Sequence, residues 1–329
     1  MKIINDILIE LSQRIATFGS SEESIAIIND AIEANSWFTA SDISLAMTAI
    51  RTEMLDPAKI NKWLANYPTL PCSNPRHVAI IMAGNIPLVG LFDLLCTLAA
   101  GHQAWIKPSS KDRVLMEYIC NQIKDIEPST PICMYDETRE YDAVIATGGN
   151  DANRYFESKF ATTKRLCRTS RHSIAVLSEN PTPHELDLLA EDIYSYSGLG
   201  CRNVSMIFAP RGAKVSFPSV ATTLNYRDNY LRTKALLTIK GQEFEDNGTS
   251  ILVRSHQEPS SLSMITIWEY DSLSEVEEWI AENDHFIQCI VCNNNIKHPR
   301  QVSFGEAQHP TLFDYADGVD TMIFLKLDN

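Results

Sequence analysis

The stretch that decides the fold is residues 77–107, HVAIIMAGNIPLVGLFDLLCTLAAGHQAWIK. It contains a continuous apolar run from His77 to Ala83, a helix-like segment from Leu88 to Ala100, and a short run from Gln103 to Lys107. Continuous apolar runs of this length are typical of strands that are buried on both faces of a parallel sheet. The stretch therefore predicts a strand–helix–strand unit of an α/β fold.

The alternation of strands and helices continues on the carboxyl side of this unit. Further helices are predicted at Lys111–Ile123, Ala152–Lys159, His184–Tyr196, Pro218–Leu237 and Leu273–Glu282, and further strands at Ala143–Thr147, Ser173–Leu177, Val204–Ala209, Ser250–Val253, Met264–Trp268 and Phe286–Cys292. Such repeats build a parallel sheet that helices cover on both faces. Because the alternation begins again near residue 182, we expect two doubly wound parallel-sheet domains.

The first seventy residues instead have a helical pattern. Apolar residues recur at helical spacing from Ile4 to Leu11, the segment from Ser20 to Glu23 has the form of a capping box, and Asp56-Pro57 fits an N-cap and a first helical residue. The predicted organisation is a helical lead-in, two α/β domains and a tail, at residues 1–70, 71–182, 183–296 and 297–329.

Composition narrows the class of protein. The net charge of −14 opposes binding to a phosphate backbone, so nucleic acid is not an expected partner. No stretch approaches the roughly 18 apolar residues of a membrane span, and the polar start lacks the apolar core of a signal peptide. We therefore expect a cytoplasmic protein whose eight cysteines are reduced thiols. The chain contains neither G-x-G-x-x-G nor the G-x-x-x-x-G-K-[ST] of a P-loop. Their absence disfavours a Rossmann dinucleotide fingerprint and a P-loop enzyme.

The most informative segment for chemistry is Gly198-Leu199-Gly200-Cys201-Arg202-Asn203, between a predicted helix and a predicted strand. Glycines let a ligand approach the backbone closely, and a thiol beside a cation tends toward the nucleophilic thiolate. Cys201 is therefore the candidate nucleophile. The segment alone also fits an inert, structural cysteine.

Two polar residues follow the first two predicted strands. Asn85 comes after the first strand and Lys107 ends the second, so both are expected at the carboxyl edge of the sheet, where ligands bind. A neutral amide suits an oxyanion hole, and a cation suits a ribose or a phosphate. An Asn-x-Pro turn and a solvated lysine remain an alternative interpretation of the pair.

In this order the segments resemble those of the aldehyde dehydrogenase superfamily, over residues 77–293. Three of them resemble the family's oxyanion asparagine, its "LAAGN" helix end and its "KPS" cofactor lysine: Asn85-Ile86-Pro87, Leu98-Ala99-Ala100-Gly101 and Lys107-Pro108-Ser109. The remaining three resemble its "FTGS" turn, its "GQxC" catalytic cysteine and its late "EEVxxxAN" stretch: Ala146-Thr147-Gly148-Gly149, Gly198-Leu199-Gly200-Cys201 and Leu273–Asn293.

The resemblance implies an aldehyde-dehydrogenase-like fold in which residues 71–182 bind a nicotinamide cofactor and residues 183–296 carry the catalytic cysteine. It implies that Cys201 is the nucleophile and that Asn85 stabilises the oxyanion. The residues that it implies for cofactor binding are Lys107, Ser109, Ser110, Thr147, Gly148 and Gly149.

One departure from the family indicates the direction of the reaction. Oxidising members carry a general-base glutamate in "ELGGK", whereas the corresponding stretch here, Leu166-Cys167-Arg168-Thr169-Ser170-Arg171, has no acid. Without a base to activate water, a thioester on Cys201 is not hydrolysed efficiently. The chain thus looks most like the acyl-CoA reductases related to the fatty-acid reductase of bacterial bioluminescence (LuxC-like), which also have a helical lead-in.

A second departure concerns the cofactor. NAD-preferring members have a glutamate after "KPS", where this chain has Ser110 and then Lys111. Loss of the carboxylate removes repulsion against a 2′-phosphate, so NADPH is the predicted cofactor and NADH the alternative. The glycine that opens the family's next helix corresponds to Asn153, and the chain is shorter than a typical member.

The expected reaction is reduction of an acyl-CoA or acyl-carrier thioester to an aldehyde, with His309 as auxiliary proton donor. Alternatives are an aldehyde oxidiser, a reductase of an acyl phosphate, and a non-catalytic member that binds an acyl carrier or a partner subunit. We expect a homo-oligomer or a complex with an acyl-transfer partner. Since family members assemble through a late edge strand, Met322 to Leu325 is predicted to be an edge strand at an interface.

Two further patterns are given structural interpretations. Arg202 is interpreted as structural because the family does not require a cation there, although stabilising the thiolate or binding a carrier is an alternative. Cys289-Ile290-Val291-Cys292 spells C-x-x-C, but side chains three apart in a strand point to opposite faces and no second pair completes a zinc site. No metal site is predicted.

Overall fold

The chain forms two compact units in the computed structural model, which describes residues 4–293 and 296–327. Unit 1 extends to Ser170 and resumes at Pro310, and unit 2 comprises Arg171–His309. Unit 2 is therefore an insertion in the sequence of unit 1. The sequence analysis placed the boundary near residue 182 and set the tail apart from residue 297. Residues 1–3 of the predicted lead-in, 294–295 of the second domain and 328–329 of the tail lie outside the described residues.

The helical lead-in of unit 1 contains four α-helices. They are α1 (Ile4–Ile15), α2 (Glu22–Ala34), α3 (Ala40–Ala49) and α4 (Pro57–Ala65), with a π-helical turn at Ile50–Met54. The capping box of α2 is one residue later than predicted, at Ser21 and Ser24, because the Ser20 N–H is used in a turn with the Thr17 carbonyl. Asp56 caps α4 as predicted, and its carboxylate accepts from the Lys59 N–H at 3.0 Å.

A five-stranded parallel sheet with the order β3-β2-β1-β4-β5 forms the rest of unit 1. Its strands are β1 (His77–Ile81), β2 (Gln103–Lys107), β3 (Ile132–Met134), β4 (Ala143–Thr147) and β5 (Lys164–Arg168). The helices between them are α5 (Leu91–Ala99), α6 (Arg113–Ile126) and α7 (Asn150–Lys159). The strand–helix–strand unit of residues 77–107 is thus confirmed, and the sequence analysis missed the two edge strands β3 and β5.

Unit 2 is built around a seven-stranded sheet with the order β12-β11-β6-β7-β10-β9-β8, in which only the β8–β9 pair is antiparallel. The elements in chain order are β6 (His172–Val176), α8 (Pro183–Tyr194), β7 (Val204–Pro210), α9 (Leu224–Lys240), β8 (Glu245–Asp246), β9 (Ile251–Arg254), β10 (Met264–Tyr270), α10 (Leu273–Asn283), β11 (Ile287–Val291) and β12 (Gln301–Val302). Because β6 pairs with β7 and β11, it belongs to this sheet and not to unit 1.

The predicted fold class, two parallel-sheet α/β domains preceded by helices, is confirmed. The largest error in a helix boundary is at α9, which begins at Leu224 and not at Pro218, because the Thr223 hydroxyl caps it by accepting from the Tyr226 N–H at 3.3 Å.

The predicted edge strand at Met322–Leu325 was also wrong, since Thr321–Phe324 forms a short helix, α11. Asp320 caps it by accepting from the Ile323 N–H at 2.9 Å, and the Leu325 N–H bonds to the Thr321 carbonyl. Backbone groups bonded within a helix are not available to a sheet edge. The side chains of Met322 and Leu325 are fully buried in the core of unit 1.

A buried ion pair connects three segments of unit 1. The Arg168 guanidinium, at the end of β5, donates to the Asp93 carboxylate of α5 and, at 2.9 Å, to the Thr321 hydroxyl of α11. Both charged side chains are almost completely buried. Breaking a buried pair from one side leaves the other charge without compensation, which is strongly destabilising.

We expect Arg168→Met to lower the free energy of unfolding by about 3–5 kcal/mol, because Asp93 would remain buried without its cation. Urea denaturation followed by circular dichroism measures the change. Arg154→Met is the matched control, since its partner Asp151 is almost fully exposed and such pairs contribute little. Equal urea midpoints for the two variants would contradict the importance of the buried pair.

Candidate active site

The carboxyl ends of three neighbouring strands lie level in unit 1. Ile81 at the end of β1 pairs with Lys107 of β2 on one side and with Ala146 of β4 on the other. The structure therefore brings Thr147, the last residue of β4, and the segment after β1, which contains Asn85, to the same edge as Lys107. This is the edge at which parallel α/β sheets bind ligands.

The loop that carries Asn85 is held at both ends by buried side chains. The Asn35 amide donates to the Gly84 carbonyl at 3.3 Å, and the Asp112 carboxyl accepts from the Leu88 N–H at 2.8 Å. Leu88 has a φ of 57°, in the left-handed region that non-glycine residues rarely adopt. The hydrogen bond from its N–H to Asp112 therefore holds a turn whose backbone conformation is energetically unfavourable. Burial raises the pKa of the Asp112 carboxyl well above its usual range.

The loop after β1 also approaches the loop after β2 very closely. A Cβ atom at Gly84 would lie 2.6 Å from the Ser109 Oγ atom, which only glycine avoids. Ser109 is half-buried at this crossing, and Ser110 beside it is exposed. The predicted oxyanion and cofactor segments are therefore neighbours in unit 1.

Lys107 has an acidic partner that the sequence analysis missed. Its ammonium lies 3.3 Å from the Glu137 carboxylate, and both side chains are at least half exposed. Glu137 follows β3, next to β2 in the sheet, and recognising β3 would have placed it there. Together with Arg113 and Tyr135 these residues line a cleft of about 270 Å³.

The Thr147-Gly148-Gly149 turn leads directly into α7. Gly149 is the N-cap of this helix and no side chain caps it. The first N–H groups of a helix without a side-chain cap are able to bind an anion such as a phosphate. Asn153 is buried in the first turn, and its Oδ1 atom has no hydrogen-bond partner among the described residues.

Cys201 lies on a loop of unit 2 that begins with an unusual backbone reversal. Tyr196, Ser197 and Gly198 have φ values of 54°, 54° and 69°, three consecutive residues in the left-handed region. Each non-glycine residue in this region costs about 1–3 kcal/mol, so the surrounding structure must hold the turn. The Cys201 side chain beyond it is half-exposed.

The Asn203 carboxamide holds this loop. Its NH₂ group donates to the carbonyls at the end of α8, 3.1 Å from Asp192, 3.2 Å from Ile193 and 2.9 Å from Ser195. Its oxygen accepts from the Gly200 N–H at 2.8 Å. On the other side, the Ser173 hydroxyl donates to the Cys201 carbonyl at 2.9 Å. The backbone of Cys201 is thus fixed from both sides.

The segment that carries His309 is bound to the same part of unit 2. The buried Asp192 carboxyl accepts from the Gly305 N–H at 2.8 Å and the Ala307 N–H at 3.0 Å, and burial raises its pKa to about 7. Arg202, next to Cys201, donates from Nε to the Ala307 carbonyl. Arg202 therefore makes a structural contact with the backbone of Ala307. His309 follows Ala307 by two residues in the sequence.

The stretch 166–171, which corresponds to the family's general-base segment, contains Arg168. The guanidinium of Arg168 forms an ion pair with the Asp93 carboxylate.

In unit 2, Cys289 and Cys292 are both buried, and the Cys289 Sγ atom lies 3.0 Å from the Ser173 hydroxyl. Across residues 4–293 and 296–327, no three His, Cys, Asp or Glu side chains are grouped as metal ligands, and no helix is long and apolar enough to cross a membrane.

Several solved structures with a similar fold are aldehyde dehydrogenases. An aldehyde dehydrogenase from Bacillus cereus in complex with NAD⁺ has a TM-score of 0.59 and 15% identity, over 89% of this chain and 72% of that one. Aldehyde dehydrogenase 21 from Physcomitrella patens has a TM-score of 0.61 and 8% identity, over 88% and 73%. A variant of the propionaldehyde dehydrogenase from a Clostridium phytofermentans microcompartment has a TM-score of 0.58 and 10% identity, over 94% and 82%.

These identities establish the likeness of the fold alone. A comparison with curated proteins finds no match. A family model described as acyl-CoA reductase (LuxC), however, matches residues 44–235, more than half of the chain and including the Asn85, Lys107 and Cys201 segments. The chain therefore belongs to the acyl-CoA reductase (LuxC) family and is an aldehyde-related oxidoreductase.

Proposed function

We propose that this protein reduces an acyl thioester to an aldehyde, with NADPH as the hydride donor and an acyl group carried on Cys201. The observation that carries the proposal is the Cys201 loop, in which Asn203 and Ser173 fix the backbone around a half-buried cysteine. A cysteine held on a fixed loop suits nucleophilic catalysis.

In the first step the Cys201 sulfur attacks the carbonyl carbon of the thioester. A new carbon–sulfur bond forms, the original one breaks, and the departing thiol takes the proton that Cys201 gives up. The Asn85 amide and the Cys201 N–H stabilise the negative charge that develops on the carbonyl oxygen.

The residues of unit 1 fit a nicotinamide dinucleotide. The uncapped N-terminus of α7 suits a pyrophosphate, and the cleft beside Lys107 suits a nucleoside. Lys107, Ser109, Ser110, Thr147, Gly148 and Gly149 would hold it. NADPH bound there would supply the hydride that converts the acyl group on Cys201 to an aldehyde. His309 supplies the accompanying proton and Cys201 regains its thiol form, so the reaction consumes one thioester, one NADPH and one proton.

The absence of an acid from residues 166–171 favours reduction over aldehyde oxidation. Oxidation needs a base that activates water against the acyl group on Cys201, and Arg168 in this stretch is held as a cation by Asp93. An acyl phosphate substrate and a non-catalytic, carrier-binding role remain the alternatives. The fixed Cys201 loop disfavours the second, because a scaffold has no need of a cysteine whose backbone is held in this way.

We expect the mass of the intact protein to increase by one acyl group when it is mixed with acyl-CoAs of different chain length, and the same acyl-CoAs to leave Cys201→Ala unchanged. Addition of NADPH is then expected to remove the adduct as an aldehyde, which gas chromatography detects. Cys72→Ala, at another half-buried cysteine, is the matched control and should label like the wild type. Absence of any adduct on Cys201 with acyl-CoAs and acyl phosphates would reject the nucleophile.

We expect Glu137→Gln to raise the preference for NADPH over NADH about fivefold. The Glu137 carboxylate lies 3.3 Å from the Lys107 ammonium and would repel a 2′-phosphate bound there. The measurement is the ratio of kcat/KM for the two cofactors. Glu140→Gln makes the same charge change in the same exposed loop and should leave the ratio unchanged, since Glu140 has no ion pair with any residue that the structure describes. An unchanged ratio in Glu137→Gln would contradict the assignment of Lys107 and this carboxylate to the 2′ position of the cofactor.

A further inference from the structure

A buried acid on the last turn of α8 is bonded to two separate parts of unit 2. Asp192 is 1% exposed, and its carboxylate accepts from the Gly305 N–H at 2.8 Å and from the Ala307 N–H at 3.0 Å. Its backbone carbonyl accepts from the Asn203 NH₂ group at 3.1 Å. Asp192 therefore holds the segment of Gly305 and Ala307 with its side chain and the Cys201 loop with its backbone.

A further contact closes these bonds into a ring. The Arg202 Nε atom donates to the Ala307 carbonyl, so Ala307 is held by Asp192 through its N–H and by Arg202 through its carbonyl. Arg202 is followed in the chain by Asn203, whose amide returns to the Asp192 carbonyl. Cys201 directly precedes Arg202. A bond lost at Asp192 therefore releases a constraint on the backbone of the nucleophile.

The Asp192 carboxyl changes its protonation state near neutral pH. Burial raises its pKa to about 7, although the two N–H bonds that it accepts oppose the increase. Both of its oxygens are hydrogen-bond acceptors, and a carboxylate accepts more strongly than a neutral carboxyl. The two bonds are therefore strongest above pH 7 and weaken as the pH falls below it.

Two further carboxylates lie near Asp192. Glu191 precedes it on α8 and Glu306 lies between its two N–H partners, and both raise its pKa further. Strand β7, which packs against α8, has no titratable side chain. The other charged or titratable side chains on the bonded segments and at the end of α8 are Cys201, Arg202, His309, Tyr194 and Tyr196. Thiols and imidazoles in general titrate near neutral pH, so the test compares proteins that all retain Cys201 and His309.

We propose that Asp192 is a positioning residue for acyl transfer, because its carboxylate holds the segment of Ala307 against the Cys201 loop and thereby keeps the nucleophile in place. The inference rests on the proposed function and extends it with a residue that acts through its neighbours. Protonation weakens the bonds to Gly305 and Ala307, which loosens the acceptor of Arg202 and leaves the Cys201 backbone less constrained. Acylation therefore responds to the protonation of Asp192 as well as to that of the thiol.

Asp192→Asn tests this role, because an amide is similar in size and has one acceptor oxygen instead of two. We expect decanoyl-CoA to acylate the variant about tenfold more slowly than the wild type at pH 8, measured without NADPH as the growth of the acylated mass in quenched samples. The difference should decrease to about twofold at pH 6, where about nine-tenths of the wild-type carboxyl groups are also neutral. The titrations of Cys201 and His309 affect both proteins alike and cancel in this ratio.

Asp187→Asn is the matched control. It makes the same change at an exposed position of the same helix and should match the wild type at both pH values. A structural role alone would slow acylation by a factor that does not change with pH. A constant factor, or equal rates for Asp192→Asn and the wild type, would therefore overturn the positioning role.

Hydrogen–deuterium exchange of the wild type needs neither a substrate nor a variant. After correction for the intrinsic effect of pH, we expect a peptide that contains Gly305 and Ala307 to exchange about fivefold faster at pH 6 than at pH 8, because its bonds to Asp192 are weaker. Equal protection at both pH values would overturn the role of the carboxylate. If no thioester acylates Cys201, the proposed function fails, while the exchange measurement still decides whether Asp192 holds this segment.

Discussion

The buried ion pair between Arg168 and Asp93 is the interaction on which unit 1 depends most. A charge removed from water must be paired, and here the pairing joins β5 at one edge of the sheet, α5 on its face and α11 at the end of the described chain. Segments that are far apart in the sequence are thereby fixed in one arrangement. The strand order of the sheet brings the loops after β1, β2 and β4 to a single edge, and the candidate cofactor residues owe their proximity to it.

The candidate site is organised by side chains that bind backbone. Asn203 fixes the Cys201 loop, Asp192 fixes the segment before His309, and Asp112 fixes the loop of Asn85. Each occupies a place where the backbone departs from regular structure and would otherwise leave buried polar groups unsatisfied. Because carboxylates and amides satisfy several such groups at once, the loops remain rigid without helices or strands of their own.

The elements that the sequence predicted well are those that local apolar pattern determines. Strands β2 and β4 have the predicted bounds, and the Cys201 segment lies between a helix and a strand as expected. The edge strand β5 was missed because its exposed residues are polar, and so its pattern is not that of a buried strand. Glu137 was missed with β3, and α11 was read as a strand because an apolar run of four residues does not distinguish the two.

The insertion of unit 2 within unit 1 has a consequence for biosynthesis. All of Arg171–His309 leaves the ribosome before the residues that complete unit 1, so unit 2 is able to fold as a unit while unit 1 still lacks Leu312, Met322 and Leu325 of its core. Until then the surfaces that receive these side chains are exposed, and Arg168 and Asp93 are accessible to water. The interval between the two folding events is the period in which the nascent chain needs protection from aggregation, and it ends only when the segment that begins at Pro310 has left the ribosome.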